Sequence, residues 1–273
     1  MDLILPFLRD IHNNDNNKWY LANSQRYVEA FDRNAKYIEK LIRLIGEFDP
    51  SISRLKLYQC SFSLMRDQRI KLDDREFNDF FSGSFTRGGK HSGYASYYYQ
   101  ISPEPSSSGG SFLAVGIYRP NKELMDYIRR EITKMPEEFD QMVKSTGFEL
   151  YLKDALLRVP GGFNADPRFE PYIFMRHMLL IRRVDISWFE QEDWCERTAE
   201  VFKECKPFID FLNRTIDLYR EESPLPVGHA LRPLRRLKRE TMLSNADSIM
   251  DQRKESKAQF TDNLSEIDNN IED

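Results

Sequence analysis

Two arginines and an aspartate lie close together in the sequence as Arg66, Asp67 and Arg69. The preceding run, Phe62 to Met65, is apolar and predicts a strand; because side chains alternate along a strand, Arg66 and Asp67 would face opposite sides. Guanidinium groups hold carboxylates and phosphates through parallel hydrogen bonds, so two arginines in a cleft would suit an anionic ligand. The alternative is structural: an ion-pair network between Asp67 and the arginines that fastens the sheet to helices.

Three further charged residues are expected near this group: Arg158, Asp166 and Arg176. The pair Gly161-Gly162 predicts a tight turn between the first two, which would either bring Asp166 into a pocket or serve the fold alone. Together the six residues make the candidate ligand site, and the sequence assigns no catalytic residue.

Several blocks of residues, separated along the chain, resemble a known family. They are Trp19-Tyr20 with Asn23 and Tyr27; Phe62, Arg66, Asp67, Arg69 and Asp73; Gly116 to Pro120 with Ile128-Arg129; and Leu157 to Asp166. In this order they resemble the bacterial and fungal family called domain of unknown function 2461, over about Leu3 to Leu218. No reaction is established for that family, so the resemblance implies positions of interest and no activity.

The chain also departs from the family pattern. The family has Asp-Lys-x-Pro-Tyr-Lys where this chain has Asp73 to Asn78, and a histidine where Pro167 follows Asp166. If the two lysines and the histidine act on a ligand in relatives, this chain has a lost or altered activity. The resemblance therefore indicates a divergent member.

Composition limits the classes of function. The chain has 273 residues, a net charge of −4 and an apolar share of 40%, which is typical of a globular protein. Its pI of about 5.8 gives no global electrostatic argument for a nucleic-acid or membrane partner. No apolar run approaches the roughly 20 residues of a membrane span. The first residues, 1–6, lack the features of a secretory signal.

The cysteines and histidines predict neither a disulfide nor a metal site. Cys60, Cys195 and Cys205 are an odd number without metal-ligand spacing, and they are expected to be reduced and structural. The four histidines are scattered as well. We therefore expect a cytoplasmic protein with no metal and no cofactor.

Hydrophobic spacing predicts helices at both ends of the chain and strands between them. Helices are expected over Asp2 to His12, from Ser24 to about Gly46, after Asn121, from Pro136, and over Gln191 to Tyr219 as one long helix. Strands are expected at Phe62 to Met65, Phe77 to Phe85, Tyr94 to Ile101, Ser111 to Tyr118, Leu156 to Val159 and Leu179 to Val184. The prediction is an α+β fold with a mixed, mostly antiparallel sheet covered by helices.

Domain organisation follows from a change in composition near Ser223. Residues 1–222 are expected to form a single α+β domain, and residues 223–273 a charged, partly disordered tail. Arg232 to Arg239 is a basic segment in that tail.

Three hypotheses for function remain open. The first is a binding protein or enzyme for an anionic small molecule at the arginine site. The second is a non-catalytic interaction module with a protein partner, in which the arginines are structural; the missing lysines and histidine favour it. The third is an RNA-associated protein that uses Tyr97, Tyr98 and Tyr99 with the basic segment; without a basic surround, these tyrosines are better explained as aromatic residues on both faces of a sheet.

Overall fold

Five antiparallel strands form the sheet in this computed structural model, which describes residues 1–66, 74–163 and 166–223. The strands are β1 (Phe81–Thr86), β2 (Ser96–Ile101), β3 (Phe112–Ile117), β4 (Glu149–Leu150) and β5 (Met178–Arg183). Their order across the sheet is β1-β2-β3-β5-β4, with antiparallel pairing at each step. The α+β class and the meander of β1 to β3 are confirmed, and the described strands contain no parallel pair.

Helices from both ends of the chain pack against this sheet. They are α1 (Ile4–Asn13), α2 (Asn17–Ala22), α3 (Ser24–Phe48), α4 (Leu57–Cys60), α5 (Lys122–Lys134), α6 (Pro136–Ser145), α7 (Glu170–Phe174), α8 (Ser187–Glu190), α9 (Trp194–Glu204) and α10 (Lys206–Glu222). The predicted cap of α5 is present, since Asn121 Oδ1 accepts a hydrogen bond from the backbone N–H of Leu124 at 2.8 Å. Helix α3 packs against α9 and β1, and α10 packs against α5 and β3.

The three consecutive tyrosines of β2 show how differently the two faces of the sheet are used. Tyr97 and Tyr99 are fully buried, with ring centroids 5.4 Å from Phe202 and 5.5 Å from Trp194 respectively. Tyr98 points to the opposite face and is only half-buried. Alternation along the strand therefore confirms the prediction of aromatic side chains on both faces.

A glycine in β1 makes room for the buried face. A Cβ atom at Gly83 would lie 2.6 Å from the ring of Tyr99 and 3.3 Å from Ile38 of α3. Any larger residue would therefore push the helix or the tyrosine away from the sheet.

The opposite side of the sheet, which we call the open face, lies outside this core. It carries Ser84, Tyr98, Phe112, Ala114 and Ile181, as the pairing register and strand alternation require. None of these five belongs to the hydrophobic core cluster built by the helices and the buried face, and Tyr98, Phe112 and Ile181 are half-buried. Ser84 and Ala114 are buried on this face, so its partly exposed side chains are those of Tyr98, Phe112 and Ile181.

Two predicted strands are absent. The run Phe62 to Met65 makes an isolated bridge at Met65 with Phe77, and the preceding Ser61 makes another with Gly83. Leu156 to Val159 is a loop in which Leu157 is 97% exposed. The strand that pairs with β5 on this side is the short β4, Glu149–Leu150, which precedes the apolar run in the sequence.

The long helix predicted from Gln191 to Tyr219 is two helices. It breaks at Cys205, between α9 and α10, and Pro207 lies in the first turn of α10. A proline lacks the backbone N–H of a continuous helix, and its ring clashes with the carbonyl four residues earlier. The helix α10 that follows is the long C-terminal helix of the prediction.

The described residues all belong to one compact unit. No described helix combines the length and the apolar character needed to cross a bilayer. Asp67, Arg69 and the proposed tail after Ser223 lie outside the described residues. The division into a domain of residues 1–222 and a tail stays a prediction.

Candidate functional site

Arg66 is the one member of the central Arg-Asp-x-Arg group that the structure describes. Its side chain is half-buried, and its Nε donates a hydrogen bond to Asn78 Oδ1 at 3.2 Å. Its backbone N–H bonds to the carbonyl of Glu76, beside the bridge at Met65. Arg66 thus lies near the start of β1, at the outer edge of the sheet.

The other three predicted site residues lie in the segments around α7 and are exposed. Asp166 is paired with Arg168, whose Nη2 donates to Asp166 Oδ2 at 2.8 Å, and its Oδ1 also accepts the backbone N–H of Arg168. These hydrogen bonds lower the pKa of Asp166 to about 2. Arg158 and Arg176 project from the flanking loops. Asp166 therefore shapes a turn at the surface.

The structure separates these two sets of predicted residues. Arg66 flanks the start of β1, whereas Arg176 precedes β5, which is three strands away in the sheet order. Because β1 and β5 are antiparallel to each other through β2 and β3, their starts lie at opposite ends of the sheet. With strand spacings near 4.8 Å, the two positions are roughly 20 Å apart. Arg66 and Arg176 do not line one cleft.

A different cluster forms at the end of the open face, where β3 ends and β5 begins. The ring of Tyr118 stacks on His177 at 4.7 Å between centroids, and Tyr151 lies 5.8 Å from the same imidazole. Asp154 Oδ2 is 3.6 Å from His177 Nε2. The guanidinium group of Arg119 lies over the Tyr118 ring at 5.1 Å. This group, which we call the His177 cluster, brings a histidine, two tyrosines, an aspartate and an arginine together at this end of the sheet.

His177 has little capacity to act as a general base. The backbone N–H of Arg119 donates to His177 Nδ1 at 3.1 Å, so the proton of the neutral ring lies on Nε2. Burial lowers the pKa of His177, Asp154 opposes this shift, and the nearby cations Arg119 and Arg176 add to it. A neutral imidazole whose lone pair is already used cannot accept a proton from a substrate. The ring serves to position its neighbours.

The backbone of the His177 cluster is unusual. Arg119 has φ of +53°, a left-handed conformation that is uncommon for a residue with a side chain. Gly116 has φ of +122°, and a Cβ atom there would lie 2.1 Å from the carbonyl oxygen of Met178. This close approach of β3 and β5 is what brings Tyr118 next to His177.

Comparison with known proteins places the chain at the family level. The sequence profile of a family of conserved hypothetical proteins, DUF2461, matches residues 3–211. The chain belongs to this family. No curated protein and no solved structure matches it.

The blocks that this DUF2461 chain shares with its family fall on parts of the structure with separate roles. Gly116 to Pro120 supplies the left-handed turn of the His177 cluster. Ile128-Arg129 lies in α5, and Arg129 is a buried structural arginine: its Nε and Nη2 donate to the carbonyls of Ile173 and Met175 at 2.9 and 2.7 Å. Its Nη1 also donates to Asp126 at 2.7 Å.

The sequence alone does not predict the His177 cluster, although one of the segments that form it, Gly116 to Pro120, resembles the family pattern. The Gly116 to Pro120 block was recognised, but Tyr151, Asp154 and His177 have no spacing that links them to it. Only the pairing of β3 with β5 and of β4 with β5 brings them together. Contacts of this kind depend on strand order, which a single sequence does not encode locally.

The thiol groups of the DUF2461 chain are enclosed. All three cysteines are free and buried, and burial raises the pKa of each thiol to about 12. Such thiols stay protonated and are poor nucleophiles at neutral pH. Within the described part of the chain, no group of His, Cys, Asp and Glu side chains could hold a metal ion.

Proposed function

We propose that this chain is a non-catalytic interaction module that binds a protein partner through the open face of its sheet. The observation that carries the proposal is a row of aromatic side chains along that face, in which Tyr98 and Phe112 are half-buried and Phe62 and Tyr118 are exposed. Exposed patches of this kind mark interaction surfaces in globular proteins.

The chemistry of the open face fits a protein interface. Tyrosine, phenylalanine and arginine are enriched at interfaces, whereas lysine and acidic residues are depleted. The face has a continuous aromatic path, since Tyr98 lies 6.2 Å from Phe62 and 5.6 Å from Phe112 between ring centroids. Tyr118, which is 53% exposed, extends the aromatic surface to the His177 cluster. Arg119 and Arg176 provide a cationic margin.

Two further observations support binding over catalysis. The lone pair of His177 Nδ1 is used by a backbone N–H. The three thiols are buried and protonated. The remaining role for the His177 cluster is to hold Tyr118 and Tyr151 in place, as a preorganised binding surface requires.

The other hypotheses keep less support. An anion site formed by Arg66, Asp67 and Arg69 stays a prediction, since two of its members lie outside the described residues. RNA binding would need tyrosines that can stack on bases, but Tyr97 and Tyr99 are buried in the core, which leaves Tyr98 alone on the outer face. A cytoplasmic location also stays a prediction, and the three free cysteines agree with it.

The proposal is tested by partner capture with matched surface variants. The parent chain and a Tyr118→Ala/Tyr151→Ala double variant are used as baits, and the retained proteins are quantified by mass spectrometry. The control is Leu21→Ala, because Leu21 is 61% exposed but lies on α2, which packs against α3 on the covered side. A protein retained by the parent and the control is then purified, and its binding is measured by calorimetry.

We expect the double variant to weaken that binding by at least about tenfold, as loss of an interface hot spot does. Equal affinity for parent, control and double variant would contradict the open face as the binding surface. A parent bait that retains no protein above the level of an unrelated bait would contradict the interaction module itself.

A further inference from the structure

A cleft at the end of β5 holds a second group of cations. Its lining includes Arg182, Arg183, Asp185, Trp188, Gln191 and Arg197, and its volume is about 440 Å³. This size lies within the usual range of small-molecule sites. We call it the arginine cleft.

Trp188 organises the arginine cleft. Its Nε1–H donates to Thr198 Oγ1 at 3.0 Å, and Thr198 is fully buried, so the indole ring has a fixed orientation. The guanidinium carbon of Arg197 lies 4.2 Å from the ring centroid, and that of Arg182 lies 5.5 Å from it. Stacking on an aromatic ring holds a guanidinium group in place and leaves its N–H edges free to donate.

The charges of the cleft are not balanced. Three arginines face one carboxylate, Asp185, which gives a local net charge of +2 from +3 and −1. Asp185 is itself engaged, because its Oδ1 accepts the backbone N–H of Ser187 at 2.9 Å. Arg183, at the border with the open face, donates to the carbonyl of Gly109. Among the described residues, no carboxylate forms an ion pair with Arg182 or Arg197.

We propose that the arginine cleft binds the phosphate group of a small phosphate monoester. A net charge of +2 matches a phosphate dianion, and the planar N–H edges of Arg182 and Arg197 match the geometry of its oxygens. The guanidinium groups occupy the indole surface, so Trp188 positions the arginines and does not stack on a base. The ligand class is therefore defined by its phosphate and by a compact organic part that fits the cleft.

The proposal does not depend on the open face as a protein interface, and its test uses different residues. Purified full-length chain is titrated with phenyl phosphate, inorganic phosphate, sulfate and dimethyl phosphate, with ionic strength held constant by sodium chloride. Binding is followed by calorimetry and by the melting temperature, which rises with ligand concentration when only the folded state binds.

The variants are Arg197→Gln alone and Arg182→Gln/Arg197→Gln. The matched control is Arg130→Gln: Arg130 also stacks on an aromatic ring, at 5.3 Å from Tyr127, but lines a different cleft with Glu123, Asp126 and Glu222. Near-ultraviolet circular dichroism of each protein without ligand first checks that the variants keep the tertiary structure of the parent. The exposed Arg197 gives an interpretable single variant even where loss of Arg182 disturbs folding.

We expect phenyl phosphate and inorganic phosphate to bind the parent and the Arg130→Gln control equally. Arg197→Gln should weaken both by about tenfold or more, as loss of a charge-assisted hydrogen bond does, and the double variant should weaken them further. Three results would overturn the proposal. They are no binding to the parent, equal binding of dimethyl phosphate and phenyl phosphate, and an affinity that Arg197→Gln leaves unchanged.

Discussion

Arg129 and Arg197 show two opposite uses of the same side chain in one protein. Arg129 is 4% exposed, and its nitrogen atoms donate to two backbone carbonyls and to Asp126. Arg197 is exposed, stacks on Trp188 and has no ion-pair partner among the described residues. One arginine connects α5 to the segment before β5, and the other presents its donors to solvent.

A structural arginine and a ligand-binding arginine therefore differ in how many of their N–H groups already donate hydrogen bonds within the protein. A buried guanidinium group must use its N–H groups within the protein, because desolvation is otherwise too costly. An exposed group stacked on a ring keeps its N–H edges hydrated and available for an anion. The sequence suggested structural arginines at Arg66 and Arg69, whereas the clearest one in the described structure is Arg129.

The largest expected effect is on Arg129. Arg129→Ala should lower the free energy of unfolding by about 3–5 kcal/mol, because it leaves the carbonyls of Ile173 and Met175 without their side-chain donor and Asp126 with Lys122 as its remaining ion-pair partner. Urea denaturation followed by circular dichroism measures the loss. A cost below about 1 kcal/mol would mean that water replaces these bonds, and the contrast with Arg197 would fail.

Arg66 should be intermediate. It is half-buried, and the bond from its Nε to Asn78 is one of its interactions. Arg66→Ala should cost about 1–1.5 kcal/mol, which is typical for one intramolecular hydrogen bond. The matched variant Asn78→Ala tests whether the two side chains are coupled, through a double-mutant cycle. A loss as large as that of Arg129→Ala would favour the ion-pair network that the sequence suggested.

Much of the fold could be predicted from the sequence because its signals are local. The helical spacing of α3, the cap at Asn121 and the Tyr-rich strand β2 each depend on neighbouring residues alone. The errors have physical causes beyond the immediate neighbours. The apolar residues Leu156 to Val159 suggest a buried strand, but they lie in a loop in which Leu157 is 97% exposed, and burial is decided by distant parts of the chain.

The candidate sites were harder to predict, since they depend on contacts between distant residues. Trp188 lies in α8 and Arg197 in the next helix, α9. Arg182 reaches the same indole ring because β5 ends shortly before α8. Tyr118 and His177 meet through the pairing of β3 with β5. A single sequence gives residue types and local periodicity, whereas strand order and burial decide which charged groups share a surface.

A pH titration extends the contrast between buried and exposed cationic side chains to a histidine. Burial lowers the pKa of His177 from the ordinary value of 6.5, so the unfolded chain takes up the proton first as the pH falls. The contribution of neutral His177 to the free energy of unfolding is therefore fully present above about pH 6.5, and it is lost as the pH falls below that value. His177→Asn keeps an acceptor for the Arg119 N–H and should lose less stability between pH 7.5 and 5.5 than the parent.

Thermal unfolding across this range measures the difference between His177→Asn and the parent. His91 also has a pKa lowered by burial, so the variant should keep part of the parent's pH dependence. Carboxylates with lowered pKa values, such as Asp79, lose their contribution only at more acidic pH. An unchanged slope in His177→Asn would show that His177 is as accessible when folded as when unfolded.

The smallest expected effect on stability is that of Arg197. Arg197→Ala removes one exposed stacking contact, which contributes about 0.5–1 kcal/mol at the surface, and it leaves no buried group without a partner. Its unfolding free energy should therefore stay within about 1 kcal/mol of the parent, while the fluorescence of Trp188 should change because the guanidinium group no longer lies 4.2 Å from the indole. Arg197→Lys, which keeps the charge without the planar fork, separates loss of charge from loss of stacking. If Arg197→Ala destabilises the fold as much as Arg129→Ala does, Arg197 is a structural arginine, and the arginine cleft is a packing feature with no ligand.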